Sequence, residues 1–440
     1  MTAPSFDAPA GRIIGWRDGR VIRATGIRYA RAVRFQPPTP EPVSSTSIEA
    51  TEWAPACVQV DHPFGMGMMQ SSVRTLATTE DCLRLSITRP DHIAPGEQRP
   101  VMVWIHGGSY VFGAGDAAIY DPRALVEEQN VIVVSITYRL GLLGFVGGGG
   151  GRAANLGLLD IIEALRWVKT NIAAFGGDAE NITLFGQSAG GDAIAHLMIA
   201  EGAQDLFRRA IIQSAPLGIS LGRRKMYEAM LKVASRVAHD APTDAVIAAQ
   251  ADVVSASAGF GWPASMPFGT QYGHHPLPSE EDVDTAWSRC ARHFDVLIGS
   301  TAEEGSFFIP LMKPLRKLAG LPLLGNAFRH VVVHTITRKV YEAAVDRFAN
   351  RHARAGGRAY TYKLHWGSKT NRLGAAHAID LPLLFGDERI WKGADLLAGL
   401  SWSEVHASAR KVRALWSSFA RTGSLEADAI DPALLSYRRA

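Results

Sequence analysis

Three short runs of apolar, largely β-branched residues constrain the fold of this chain more than any other feature. The runs are VMVWI (101–105), VIVVSITY (131–138) and NITLF (181–185). A strand with one face in water alternates apolar and polar residues, whereas these runs have almost no polar positions. They therefore predict strands buried on both faces, as in a mostly parallel sheet covered by helices.

The rest of the chain extends this alternation of strands and helices. The start, RIIGWRDGRVIRATGI, indicates a hairpin that turns at Asp18-Gly19. The other expected elements are a helix at 158–172, strands at 208–214, 294–300 and 358–366, and a closing helix at 406–422. This order is typical of an α/β sheet. No linker divides the chain, so we expect one domain over 1–440, with cap insertions at roughly 221–287 and 310–358.

Composition excludes several classes of function. Lys and Arg number 46 against 42 Asp and Glu, and no basic tract is interleaved with aromatics, so a nucleic-acid partner is not expected. No apolar run reaches the roughly 18 residues of a membrane span, and no signal peptide is recognisable, which predicts a cytoplasmic protein. Without CxxC, HExxH or a nucleotide-binding glycine motif, we expect no metal and no cofactor. A monomer or homodimer is expected.

The strand at 181–185 runs directly into a pattern with a defined chemistry. Gly186-Gln187-Ser188-Ala189-Gly190 is a GxSxG sequence, and a helical pattern follows it. At a sharp strand-to-helix turn this pattern lifts a nucleophilic serine clear of the sheet. The free N–H groups at the helix start favour an anion there. The competing interpretation is an ordinary glycine-rich turn, which the flanking strand and helix disfavour. Ser188 is thus the candidate nucleophile.

The strand at 101–105 ends in a second glycine-rich loop, His106-Gly107-Gly108-Ser109. The loop resembles the HGGG loop of lipases and esterases, with Ser109 in place of the third glycine. Backbone N–H groups of such a loop stabilise the oxyanion formed when a serine attacks an ester. We expect His106 to support the loop and not to act as a base. The expected oxyanion-hole donors are the N–H groups of Gly108, Ser109 and Ala189, with Gly107 supporting.

Longer motifs carry a resemblance to one family. FGGDAENITLFGQSAGG (175–191) resembles the serine-containing signature of type-B carboxylesterases, the family of cholinesterases and p-nitrobenzyl-type esterases. EDCLRLSITRP (80–90) resembles its second signature, although Arg84 replaces the usual aromatic residue or Thr. Further matches are GIRYARAVRFQPP, YRLGLLGF, NLGLLD and FRRAIIQSA. The resemblance implies an α/β-hydrolase fold, with a mostly parallel central sheet flanked by helices, and a serine esterase.

The resemblance also implies a Ser-Glu-His triad in that chain order. FDVLIGSTAEEGSFF offers Glu303 and Glu304, and Glu304 is preferred because it precedes a glycine. GAAHAIDLPLLFG makes His377 the base, with Ala378 where the family usually has Gly. The chemistry requires the same set, because a serine nucleophile needs a base and a carboxylate that orients it. Glu303 remains the alternative acid.

The family resemblance implies four structural features as well. They are ion pairs Arg34–Glu80 and Arg139–Asp160, a hydrogen bond from Ser214 to the acid, and a Cys57–Cys82 pair that matches the family's first disulfide, although in a cytosol such a pair stays reduced. The chain is shorter than most family members on both sides of Glu304. We therefore expect a reduced helical cap and an open site that accepts bulky esters.

These features predict a serine carboxylesterase that hydrolyses small-molecule esters through an acyl-enzyme on Ser188. An amidase or carbamate hydrolase with the same triad is the first alternative. A non-catalytic binding protein related to the cholinesterases is the second, and retention of Ser188, Glu304 and His377 argues against it.

Overall fold

The structure, a computed structural model, describes residues 3–60, 68–69, 76–322, 324–426 and 429–440. The strands are β1 Ser5–Ala8, β2 Gly11–Ile14, β3 Trp16–Asp18, β4 Val21–Arg28, β5 Ala30–Ala32, β6 Pro38–Pro40, β7 Ile48–Glu49, β8 Ala56–Cys57, β9 Thr78–Thr79, β10 Arg84–Pro90, β11 Arg99–Ile105, β12 Ile132–Ile136, β13 Gly177–Gln187, β14 Arg209–Gln213, β15 Asp295–Thr301, β16 Arg358–Leu364 and β17 Leu435–Arg439. The α-helices are α1 Arg123–Gln129, α2 Gly141–Gly144, α3 Leu156–Asn171, α4 Ala189–Leu197, α5 Arg224–Ala234, α6 Thr243–Ser255, α7 Val283–Cys290, α8 Lys313–Ala319, α9 Gly325–Ile336, α10 Ala343–Arg354, α11 Leu381–Phe385, α12 Glu388–Trp391 and α13 Trp402–Thr422. A π-helix, Thr337–Glu342, joins α9 to α10.

Ten of these strands form one sheet. Their order is β17-β16-β15-β14-β13-β11-β12-β10-β4-β3. The six strands from β16 to β12 are parallel, and the pairs at both edges are antiparallel. The sheet is thus mixed, with the parallel centre that the apolar runs predict.

Both faces of the central strands are buried, which explains their nearly unbroken apolar sequence. Val101, Val103 and Ile105 of β11 lie in a core cluster that includes α3 and α4. Met102 and Trp104, which alternate with them, lie in a second cluster that includes α11 and α13. Each fully buried side chain of this kind stabilises the fold by about 1.5–3 kcal/mol. A polar residue at either set of positions would lose this contribution.

The predicted elements match the observed ones with small shifts. The helix expected at 158–172 is α3, and the closing helix is α13, which ends at Gly423 with φ of 70° as expected. α13 begins four residues earlier than predicted because Ser401 and Glu404 form a capping box. Strands β10 and β17 were not predicted.

The two segments expected to be cap insertions are helical. Helices α5–α7 lie between β14 and β15, and α8–α10 lie between β15 and β16. Neither segment adds a strand to the sheet in the described part of the chain. Among the described helices, none is both long and apolar enough to cross a bilayer.

Both predicted ion pairs are confirmed. Arg139 and Asp160 are buried, with Nη2 2.6 Å from Oδ1, and Nε of Arg34 donates to Glu80 over 2.8 Å. The two cysteines of the expected disulfide are free and buried. The hydrogen bond with Cys57, together with burial, raises the pKa of the Cys82 thiol well above its usual value. This part of the core is therefore held by packing and not by a covalent bond.

Candidate active site

Ser188 lies at the junction of β13 and α4. Its backbone has φ of 58° and ψ of −125°, a strained conformation that begins the helix. A Cβ on Gly186 or Gly190 would lie 2.6 or 2.0 Å from the carbonyl oxygen of Ile105. These contacts explain why the turn needs a glycine two residues before and after the serine.

The glycine-rich loop after β11 packs directly on this turn. A Cβ on Gly107 would lie 2.5 Å from the carbonyl oxygen of Gln187 and 3.1 Å from Cβ of Ser188. Only glycine allows the loop to approach the serine so closely. The loop and the serine are therefore held in one rigid unit, although they follow different strands, β11 and β13.

Three backbone N–H groups beside the serine are available to an acceptor. Those of Gly108 and Ser109 donate to no acceptor in the described part of the chain. The N–H of Ala189 lies in the first turn of α4, where no preceding turn of the helix provides a carbonyl to accept it. Gly108 has φ of 108°, and Ser109, which replaces a family glycine, also has a positive φ of 53°.

Buried side chains support the loop. His106 is fully buried, and burial lowers its pKa to about 4. Its Nδ1 donates to the carbonyl of Gly107 over 2.8 Å, and its ring stacks on Tyr138. The hydroxyl of Tyr110 donates to Asp192 on α4 over 2.8 Å. These contacts fix the loop and fit the supporting role expected for His106.

The structure brings Glu304 and His377 together. Nδ1 of His377 lies 2.5 Å from Oε2 of Glu304, whose other oxygen accepts the N–H of Thr301 over 2.8 Å. Glu304 is fully buried. Glu303 is exposed instead and accepts the N–H of Ala375 over 3.0 Å. Of the two candidate acids, only Glu304 contacts the imidazole.

Ser188 and His377 line the same cavity, and no hydrogen bond joins their side chains within the described structure. Nε2 of His377 lies 3.2 Å from Nε2 of Gln187. Because Nδ1 donates to Glu304, Nε2 is the unprotonated ring nitrogen and accepts from the Gln187 amide. Catalytic hydrogen bonds are often formed only in the substrate complex. Sequence reasoning missed Gln187 as a partner of the base, although it lies inside the GxSxG motif.

The cavity that contains the serine has a volume of about 630 Å³ and mostly apolar walls. The rings of Phe307, Phe308 and Tyr341 surround His377, with centroids 5.7, 5.4 and 5.3 Å from its own. Such walls exclude water and strengthen electrostatic interactions at the imidazole.

Two further groups near the acid differ from expectation or were missed. The hydroxyl of Ser214 is buried and has no hydrogen-bond partner among the described residues, so the expected bond to Glu304 is not formed. Asp380, three residues after His377, was missed although it lies in the same motif. Burial raises the pKa of Asp380 to about 6, although a hydrogen bond of 2.5 Å from the Gln213 amide acts to lower it. It is a second buried carboxyl near Glu304 and His377.

Comparison with known proteins gives the family. The sequence profile of the carboxylesterase family matches residues 3–320. The chain belongs to the carboxylesterase family. It is therefore a serine carboxylesterase, a carboxylic ester hydrolase of the type-B group. The described residues of this carboxylesterase contain no group of three or more side chains that could hold a metal ion.

Full-length relatives agree with this assignment. A probable N-octanoylanthranilate hydrolase of Rhodococcus erythropolis is 36% identical over 98% of this chain and 95% of its own length. The para-nitrobenzyl esterase of Bacillus subtilis (strain 168) is 30% identical over 98% and 92%. A solved thermophilic p-nitrobenzyl esterase superposes with a TM-score of 0.83 at 27% identity, covering 100% of this chain and 98% of that one. The carboxylesterase thus has the α/β-hydrolase fold that the motifs predict.

Proposed function

We propose that this carboxylesterase cleaves esters through an acyl-enzyme on Ser188, with His377 as the base and Glu304 as the acid that orients it. The observation that carries the proposal is the buried contact of 2.5 Å between Nδ1 of His377 and Glu304. It leaves Nε2 as the basic nitrogen on the side of the cavity, where Ser188 also lies.

The steps follow from this arrangement. Nε2 of His377 gives up its hydrogen bond with Gln187 and accepts one from the hydroxyl of Ser188. It then takes the hydroxyl proton, and Oγ of Ser188 attacks the acyl carbon of the ester. The resulting imidazolium is stabilised by Glu304 and returns the proton to the leaving alcohol. Water then attacks the acyl-enzyme by the same route. The proposed oxyanion-hole donors are the N–H groups of Gly108, Ser109 and Ala189, with Gly107 supporting them.

We further propose that the helical segments 221–287 and 310–358 form a reduced cap that shapes the substrate cavity within a single domain. Trp262 and Met266 of the first segment and Met312 and Val331 of the second line the cavity, which supports this role. Its volume lies in the range of ligand pockets for small organic molecules. Mostly apolar walls favour an apolar acyl chain. The Rhodococcus relative, named for an octanoyl substrate, supports a medium-length chain.

A panel of p-nitrophenyl esters from acetate to octanoate tests both parts of the proposal. Ser188→Ala should lower kcat by about 10⁴-fold or more, because the nucleophile is lost. Ser214→Ala is the matched control, since its hydroxyl has no partner in the described chain, and it should keep the wild-type rate. Hydrolysis at the wild-type rate by Ser188→Ala would refute the nucleophile. A steep loss of rate from acetate to octanoate would refute the open, apolar site.

Amide hydrolysis is the second candidate function. It is favoured by the name of the Rhodococcus relative, since N-octanoylanthranilate joins an acyl group to an aromatic amine. The test compares kcat/KM for an N-octanoyl anilide and the matching phenyl ester. An anilide rate that is lost in Ser188→Ala would support it, and an undetectable rate would exclude it.

A further inference from the structure

The segment between Glu304 and Glu342 has an unusual charge. Residues 305–341 contain no Asp or Glu, while the whole chain has a net charge of only +4. The six basic residues of this segment are Lys313, Arg316, Lys317, Arg329, Arg338 and Lys339. Positive charge is thus concentrated on the helices that cover the proposed active site.

The same helices expose apolar side chains. No residue of α8 is buried, and Gly325 is the only buried residue of α9. Twelve large apolar side chains are exposed in the described chain, and five of them lie within this short stretch. They are Met312, Leu318, Leu321, Leu324 and Val331, with Leu324 68% exposed. Clusters of exposed apolar residues of this kind mark interaction surfaces.

The basic residues of α8 are uncompensated. Lys313, Arg316 and Lys317 have the i, i+3, i+4 spacing of one helix face. None of them forms an ion pair with a described residue, whereas Arg338 pairs with Asp346. The face therefore presents positive charge to any partner.

This surface is continuous with the substrate cavity. Met312, Leu315 and Val331 line the cavity, and both Met312, which immediately precedes α8, and Val331 of α9 are also exposed. A partner that covers the α8–α9 surface would therefore lie at the cavity mouth.

We propose that the α8–α9 surface, residues 312–322 and 324–331, docks the enzyme on anionic lipid surfaces. Apolar side chains beside Lys and Arg, in a segment (305–341) without Asp or Glu, are the combination by which helices lie in a lipid interface. A second copy of this chain is a poorer partner, because a two-fold contact would set the same uncompensated Lys and Arg residues against each other. When the enzyme docks in this way, its cavity opens toward the lipid. Apolar esters dissolved in the lipid then reach the site without crossing water.

The test is sedimentation of the enzyme with sucrose-loaded vesicles of phosphatidylcholine, alone or mixed equally with phosphatidylglycerol. The wild type should bind the mixed vesicles more tightly, and high salt should weaken this binding. Each basic residue near an anionic surface contributes about fivefold to partitioning, so Lys313→Glu/Lys317→Glu should lower it by about 25-fold or more. Leu321→Ser/Leu324→Ser should lower binding to the same vesicles by removing apolar contact.

The matched control is Arg410→Glu/Lys411→Glu, which makes the same change in net charge at exposed positions of α13. It should change binding by no more than about twofold, since those residues lie outside the docking surface. All three variants should hydrolyse a soluble p-nitrophenyl ester at the wild-type rate, which shows that they are folded. Ser188→Ala should bind vesicles like the wild type, so a failure of the catalytic proposal would not affect this result.

Three outcomes would overturn the proposal. They are equal binding to neutral and anionic vesicles, an equal loss of binding in the α13 control, and an absence of vesicle binding. If the enzyme does not bind vesicles, light scattering would measure its oligomeric state and test for a dimer. A dimer that dissociates in Leu321→Ser/Leu324→Ser would show that a second copy covers the surface instead.

Discussion

Glu304→Gln tests the proposed relay most directly, because it removes a charge and preserves shape. The amide oxygen of Gln would keep the hydrogen bond from the N–H of Thr301, which now goes to Oε1 over 2.8 Å. The NH₂ group would then face Nδ1 of His377 in place of Oε2. Nδ1 would have to accept this hydrogen bond, so the ring proton would move to Nε2. A protonated Nε2 cannot take the proton of Ser188.

The expected loss of rate follows from charge and tautomer together. The centres of a carboxylate and an imidazolium in such a contact lie about 4 Å apart, and their attraction is about 4 kcal/mol at an effective dielectric constant of about 20. A loss of this size lowers kcat by about 10³-fold. The wrong tautomer adds to it, so we expect a decrease of about 10³- to 10⁴-fold.

The assay is steady-state hydrolysis of p-nitrophenyl butyrate at neutral pH, with thermal unfolding measured on the same samples. Glu303→Gln is the matched control, since Glu303 is exposed and its contact is the N–H of Ala375. It should change kcat by less than about fivefold, because only one hydrogen bond to a charge is weakened. A folded Glu304→Gln enzyme with a kcat within tenfold of the wild type would refute the relay. So would a larger loss in Glu303→Gln.

Three further predictions concern groups around the relay. Gly107→Ala should lower kcat by about 10²-fold or more, because its Cβ would lie 2.5 Å from the carbonyl oxygen of Gln187 and would displace the proposed oxyanion loop. Gly149→Ala is the control and should leave kcat unchanged, because its Cβ would meet only a leucine methyl group at 3.3 Å. Burial raises the pKa of Asp380 to about 6 in the native state, against 3.8 ordinarily, so the stability that its protonated form contributes is lost as pH rises through this window. Relative to the wild type, the unfolding free energy of Asp380→Asn should therefore rise by about 2 kcal/mol between pH 4 and 7 in urea titrations, and a difference that does not change with pH would contradict the assignment. Ser109→Gly should relieve about 1–2 kcal/mol of backbone strain and should cost about 0.5–1 kcal/mol through the added conformational entropy of the unfolded chain. The free energy of unfolding in urea should therefore rise slightly, and a clear decrease would contradict the strain.

Most of the sheet could be predicted from sequence because burial on both faces leaves a local signal. β11, β12 and β13 each contain a short apolar run rich in β-branched residues, and this length and composition favour a strand buried on both faces over a buried helix. β10 and β17 were missed for the opposite reason. The sequence RLSITRP of β10 mixes charged and apolar residues, and LSYRR of β17 is short and polar. Both are strands because a neighbour in the sheet pairs with them, which is information that no local window holds.

The candidate site divides in the same way. Ser188, Glu304 and His377 could be proposed from sequence because each lies in a motif at the end of a strand or in a turn. The choice of Glu304 over Glu303 has a geometric reason, because the side chain of Glu304 is buried against the imidazole whereas that of Glu303 is exposed. The contact between Gln187 and His377 joins residues 190 positions apart. Contacts of this kind depend on how the loops pack and could not be derived from the motifs.

Backbone strain is concentrated at the site. Nine non-glycine residues have a positive φ in the described chain. Five of them belong to the site or adjoin it, and they are Ser109, Tyr110, Ser188, Ser214 and Ala378. At about 1–2 kcal/mol each, their summed strain is comparable with the net stability of a typical protein. The buried sheet must therefore offset it, which links the apolar central strands to the geometry of the site.

Two of these strained residues are positions where the sequence departs from the family. Ser109 and Ala378 lie where the family resemblance implies glycines, with φ of 53° and 69°, so the backbone has a conformation that glycine adopts without strain. Both side chains line the cavity beside Ser188. Each of these side chains therefore adds an atom group to the wall of the cavity, in a backbone conformation that is open to glycine. For this reason, the effect of either residue should be sought first in the choice of substrate, and only second in the rate of the chemical step.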